Sequence, residues 1–130
     1  MKGYVGNLEA AALANNDFRR VLYTARNSQL VLMSLGAGEE IGEETHELDQ
    51  FLRFESGEGK VVLDGVEHAV KDGSAALVPA GTRHNVIYTG VGTLKLYTVY
   101  SPSEHRDGVL HRTKEEALAD SEHFDGRTSE

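Results

Sequence analysis

Apolar positions in this chain fall in short, evenly spaced runs, each closed by a glycine-bearing turn. Phe18 to Thr24 predicts a strand, with a turn at Arg26-Asn27-Ser28. Gln29 to Leu35, QLVLMSL, is almost wholly apolar, which suits a strand buried on both faces or one in a sheet packed on another sheet. Gly36 and Gly38 break it. A strand is expected from Glu44 to Glu55, then a turn at Ser56-Gly57-Glu58-Gly59. Lys60–Leu63 and Val66–Val70 flank Asp64-Gly65, one of the strongest short hairpin signals. Ser74–Val78, His84–Thr89 and Thr93–Ser101 read as three further strands. Many short strands at close spacing with glycine punctuation indicate an all-β sandwich or barrel.

Two segments break the β pattern. Residues 8–15, LEAAALAN, predict a helix of strong helix formers with Asn7 as N-cap. Thr113 to Asp120, TKEEALAD, predicts a second, with Thr113 as N-cap and Glu116 completing a capping box. Ser101 to Arg112 is irregular, and the polar last ten residues, SEHFDGRTSE, are expected to fray. The chain thus divides into an N-terminal helix and strand extension (1–28), an all-β unit (29–101), and a C-terminal loop, short helix and tail (102–130).

Composition narrows the function classes. A length of 130 residues suggests one domain, large enough to bury about two-thirds of its unfolded surface without staples. With no cysteine there are no disulfides, thiolate ligands or cysteine nucleophile. Thirteen Lys and Arg against 21 Asp and Glu leave a net charge of −8, which repels phosphate backbones and argues against nucleic acid. Arg19-Arg20 is the one adjacent basic pair and reads as a solvated strand edge or turn. The N-terminus has no long apolar region and no segment approaches ~18 apolar residues. The expectation is a soluble, cytoplasmic protein with no membrane partner.

The candidate chemistry sits in two stretches. Glu44, His46 and Gln50 lie two and four residues apart, so an unbroken strand would point all three to one face. A polar cluster facing the core is costly unless something satisfies it, and a metal ion is one such thing. In Gly73–Tyr88, His84 opens a strand just after the Ala80-Gly81 turn, so the fold would have to bring it to His46. Plainer readings stand beside this one. His46 and His84 also suit satisfied core histidines. Gln50 suits a hydrogen bond to a neighbour, and Glu44 belongs to a run of acids, Glu39, Glu40, Glu43 and Glu44, of the kind usually solvated. Leu48 has the parity of an apolar pocket wall; Asp49 and Arg53 have the parity that leaves the pocket. His68 reads as exposed, and His105 and His111 as structural or solvated unless they fold over the site.

These two stretches resemble the paired motifs of the cupin superfamily. Gly38, five residues, Glu44, one residue, His46, three residues, Gln50, six residues, Gly57 keeps the spacing of the first motif, with Glu44 in place of its first His and Gln50 in place of its Glu. Gly73, Pro79, Gly81 and His84 match the second motif, and Tyr88 replaces its terminal Asn. The chain looks like the small single-domain bacterial cupins of the mannose-6-phosphate isomerase-like type.

The resemblance implies a jelly-roll (double-stranded β-helix) barrel over residues 29–101. It also implies the metal ligands Glu44, His46, Gln50 and His84, and a divalent ion: Zn, Mn, Fe or Ni. Two His and one carboxylate match the facial triad that leaves sites open on Fe(II). A neutral Gln makes the site less anionic and the ion a stronger Lewis acid. Three functions stay open: a metal-dependent isomerase acting on a sugar-like substrate, with Glu44 as base where it is not a ligand and Tyr88 showing its hydroxyl to the pocket; a metal-dependent dioxygenase; and a non-catalytic small-molecule-binding module. The pocket strands show no Lys or Arg facing in, which counts against a phosphorylated sugar. Cupins usually dimerise, and Gln29–Leu35 and Phe18–Thr24 are the expected interface strands of a homodimer.

Overall fold

A computed structural model describes residues 2–130. In chain order the elements are α1 (Leu8–Ala14), β1 (Arg19–Thr24), β2 (Gln29–Leu35), β3 (Asp49–Ser56), β4 (Glu58–Leu63), β5 (Val66–Lys71), β6 (Ala75–Val78), β7 (His84–Tyr88), β8 (Leu94–Ser101), β9 (Leu110–His111) and α2 (Lys114–Ala119). The strands form a six-stranded sheet, β6-β3-β8-β2-β1-β9, and a three-stranded sheet, β5-β4-β7. Apolar side chains of both sheets share one core, including Val31, Met33, Leu52, Phe54 and Leu96 from the large sheet and Val61, Val70 and Val86 from the small one. The jelly-roll architecture expected from the sequence is present. The hydrogen bonding does not close into a barrel, however; it leaves two sheets facing across the core.

Local chemistry accounts for the boundaries. Asn7 caps α1, its Oδ1 accepting from Ala10 N at 2.9 Å. The β4–β5 hairpin turns on Asp64 and Gly65, with φ of +47° and +82°, the left-handed pair that a two-residue hairpin requires. Thr113 Oγ1 caps α2 by accepting from Glu116 N, while Glu116 Oε2 reaches past the cap to Arg112 N at 2.6 Å.

Two expectations are corrected. The strand predicted from Glu44 begins only at Asp49, and Glu44 instead forms an isolated bridge with His84. Within the chain β2 lies between β8 and β1, and β1 between β2 and β9. The C-terminal tail does not fray. Phe124 N donates to Glu104 O, Ser129 N donates to Thr24 O, and Ser129 Oγ accepts from Thr24 N, each at 2.9 Å. No helix among the described residues is long and apolar enough to cross a membrane.

Candidate metal centre

The backbone pairing of Glu44 with His84 builds the site. Glu44 N donates to His84 O at 2.8 Å and His84 N donates to Glu44 O at 2.9 Å. His46, two residues on, is held by Gly81 N donating to its carbonyl at 2.8 Å. Gly81 itself takes φ +85°, which the Pro79–Thr82 turn requires and a side chain would resist. The result is that one ligand atom from each of Glu44, His46 and His84 lies within 4.8 Å of the others. Sequence alternation along one strand does not do this; the turn before β7 does.

The protonation pattern suits a cation. His84 is buried, and its Nδ1 lies 2.9 Å from Thr82 O. A carbonyl only accepts, so Nδ1 carries the proton and Nε2 presents a lone pair, the usual arrangement of a metal-binding imidazole. His46 Nε2 stands 3.4 Å from Glu44 Oε2, and its Nδ1 stands 3.8 Å from Glu104 Oε2. The hydrogen bond that His46 donates to Glu44 raises the His46 pKa above its ordinary value; burial opposes this, and the charges of Glu44 and Glu104 reinforce it. Burial alone would raise the Glu44 carboxyl. The His46 hydrogen bond and the charges of His46, Arg19 and His84 outweigh it and hold the carboxyl below the ordinary range.

Gln50 is buried on β3 and donates from Nε2 to Thr98 Oγ1 at 3.0 Å, while its Oε1 has no partner. A dry, unpaired amide oxygen costs roughly 1–3 kcal/mol, so this atom is a buried acceptor with no hydrogen-bond donor facing it. Tyr100 lies under the cluster, its ring edge-on to His46 at 6.0 Å and to His105 at 5.1 Å between centroids. Burial pushes its phenol far above the usual range, so it stays neutral. His105 Nδ1 in turn meets Glu122 Oε2 at 2.8 Å.

Residues 31–100 match the family model described as the cupin domain. The chain is a cupin. It is 47% identical over 125 residues to the uncharacterized protein YrkC of Bacillus subtilis, covering 91% of this chain and 67% of that one. It is 40% identical over 113 residues to the uncharacterized protein L612 of Acanthamoeba polyphaga mimivirus, covering 82% and 70%. The crystal structure of BH2720 from Bacillus halodurans superposes with a TM-score of 0.90 at 44% identity, covering 92% of this chain and 96% of that one.

In this cupin the residues present fit a divalent ion. Glu44, His46 and His84 converge, His84 has its second nitrogen fixed, and Gln50 holds an orphaned oxygen. Tyr88 does not join them. Its partner in β4 is Gly59, while that of His84 is Leu63, which puts the two at opposite ends of β7, about 13 Å apart at strand rise. A Cβ on Gly90 would stand 2.8 Å from the Tyr88 hydroxyl, so this tyrosine packs against the far turn, and the expected pocket role is corrected. Leu48 is buried in the core, and His68 is exposed on β5 as expected.

Two residues near the site escaped the sequence reading. Glu104, in the loop after β8, faces His46; nothing in its surroundings along the chain signals this. Arg19 is buried while Arg20 is exposed and pairs with Asp17 at 3.7 Å. The signal was available, because Arg19 shares the inward parity of Val21 and Tyr23, whereas Arg20 has the outward parity.

Proposed function

We propose that this cupin holds one divalent metal ion on Glu44, His46 and His84, with Gln50 Oε1 as a further oxygen donor, and uses it on a small molecule bound in the adjoining cleft. The reading rests on the convergence of the three ligand atoms within 4.8 Å. The ion would supply Lewis-acid polarisation of a ligand oxygen and, if iron, electrons for oxygen chemistry. The chain's own groups then set the conditions. Thr82 O fixes the His84 tautomer, the Glu104 carboxylate draws on the Nδ1 side of His46, and neutral Tyr100 closes the floor.

Among catalytic readings, the two-histidine, one-carboxylate set favours a metal-dependent oxygenase over an isomerase of sugar-like substrates. An isomerase needs a base outside the metal shell. Glu44 lies within the cluster and Tyr88 at the other end of β7, so neither is available for that role.

The test is metal analysis by mass spectrometry on protein purified without chelator or nickel resin, beside His46→Ala and His84→Ala. We expect about one equivalent in the wild type and a loss of at least tenfold in either variant, after which oxygen uptake by the iron-loaded protein is measured. Metal-free wild type after exposure to Fe(II), Mn(II), Ni(II) and Zn(II) would end the proposal. Binding without oxygen uptake against any organic acid or polyol would leave the non-catalytic module as the reading.

A further inference from the structure

Beside the cluster, β1, the 41–44 segment, the 104–105 loop and the α2 region enclose a cleft of about 370 Å³. Arg19, Glu44, Glu104 and Lys114 are among its lining residues. We propose that this cleft is a carboxylate site, in which the Arg19 guanidinium receives one carboxylate of a small organic acid whose other end reaches the metal ligands. This deepens the proposed function by naming its substrate class, and rests on it only for the acid's second contact.

Arg19 is a charge with no counter-charge in direct contact. Arg19 is only 9% exposed, and among the described residues no carboxylate oxygen comes within 4.0 Å of it. Its one hydrogen bond joins Nη1 to His111 Nδ1 at 3.3 Å, and its Nε is buried with no partner. A guanidinium only donates, so His111 Nδ1 accepts. His111 Nε2 then donates to Asp120 Oδ2 at 3.0 Å, so His111 is neutral and offers Arg19 no charge. The Phe18 ring, 5.5 Å from Arg19 Cζ, compensates only in part. A buried cation left in this condition is costly, and removing an arginine's anion is among the larger penalties a protein bears.

The acids of the cleft do not fill the role, because each is already engaged. Glu43 faces Arg83 at 3.5 Å and Glu44 faces His46 at 3.4 Å. Glu104 lies between His46 and His123, at 3.8 and 3.6 Å. Asp120 holds His111, and Glu122 holds His105 at 2.8 Å and accepts from Arg106 N at 2.7 Å. Both cations lining the cleft, Arg19 and Lys114, lack such a partner among the described residues. A single planar fork matches a carboxylate bidentately. A phosphate dianion would instead meet five acids with one fork and one lysine, so the acidic lining favours the smaller charge.

The experiment titrates ¹⁵N-labelled protein with acetate, malonate, succinate and benzoate, and with succinamide and inorganic phosphate as comparisons, following the Arg19 Nε–Hε resonance and the calorimetric affinity. Zinc-loaded and chelator-treated wild type, Arg19→Gln and Arg19→Lys are compared, with zinc content measured on every sample. We expect saturable shifts of that resonance with at least one carboxylate, none with succinamide, and affinity weakened at least tenfold in Arg19→Gln and less in Arg19→Lys. The proposal is overturned if no carboxylate moves the resonance in folded wild type in either metal state, if Arg19→Gln binds unchanged, or if phosphate binds better than every carboxylate. Should Arg19→Gln fail to fold, the wild-type titration decides alone. Carboxylate binding by protein that takes up no zinc would sustain this site and sink the metal proposal, whereas zinc-loaded protein indifferent to carboxylates would do the reverse.

Discussion

At the scale of single residues, Gln50 is where this cupin departs most tellingly from a fully anionic ligand set. Its amide satisfies Thr98 with one end and leaves Oε1 bare with the other. Gln50→Glu should therefore act in opposite directions with and without metal. In metal-free protein a buried carboxylate replaces a neutral amide, costing roughly 1–3 kcal/mol or more; with metal the added charge should tighten binding. Urea unfolding in chelator and in excess zinc checks both signs.

His46 carries a second residue-scale prediction. Its folded pKa is raised by the Glu44 hydrogen bond, so protonation and metal compete for one nitrogen. Metal affinity should fall as pH drops through that raised value, and uptake near neutral pH should release a proton, read by calorimetry in buffers of different ionisation enthalpy. In the metal-free protein the sign reverses. The raised pKa stabilises the fold below the unfolded value of 6.5, and that contribution is lost as pH rises through the folded value.

At the scale of elements, β2 matters less for its apolar run than for the amide that opens it. Gln29 is almost fully buried, donates to Thr24 Oγ1 at 2.9 Å and His105 O at 2.8 Å, and accepts from His105 N at 2.9 Å. It thereby sets where the loop after β8 runs, and with it Glu104 opposite His46. Gln29→Leu keeps the strand and its packing but strands these backbone groups, so a loss of about 3 kcal/mol is expected. Urea unfolding measures it, and weaker metal binding should accompany it.

Most strands were legible because each run of alternating or apolar residues ends at a turn residue with a mechanical reason, Asp64-Gly65 above all. The 44–48 stretch was not, because its conformation answers to β7 and the Gly81 turn, which lie some 40 residues away in the chain. Glu44 and His46 still meet His84, since the bridge between Glu44 and His84 joins the two stretches as the fold was expected to do.

At the scale of the whole molecule, the tail is part of the structure. Glu122 accepts from His105 and from Arg106 N, and although burial would raise its pKa, the His105 hydrogen bond leads the groups that bring it below the ordinary carboxylate value of 4.5. A depressed folded pKa stabilises above the unfolded value and is lost as pH falls through the folded one. Wild type should therefore lose more stability than Glu122→Gln between about pH 5 and pH 3, which thermal unfolding across that range will show. Polar composition suggested fraying, because nothing in SEHFDGRTSE shows that Thr24 in β1 and the 104–106 loop hold partners for it. Glu104 escaped notice for the same reason, whereas Arg19 was read as solvated although its parity with Val21 and Tyr23 pointed inward.

The docking of the tail has a consequence for the order in which the protein is made. Both sheets except β9 are complete at Ser101, and Glu44, His46, Gln50 and His84 are by then all present. The part of the cleft wall that runs from Glu104 to His123, and with it the Glu104 carboxylate beside His46, leaves the ribosome afterwards. On the proposed function, a chain still tethered there holds its candidate metal ligands before the cleft beside them is complete, so ion loading can precede discrimination among ligands.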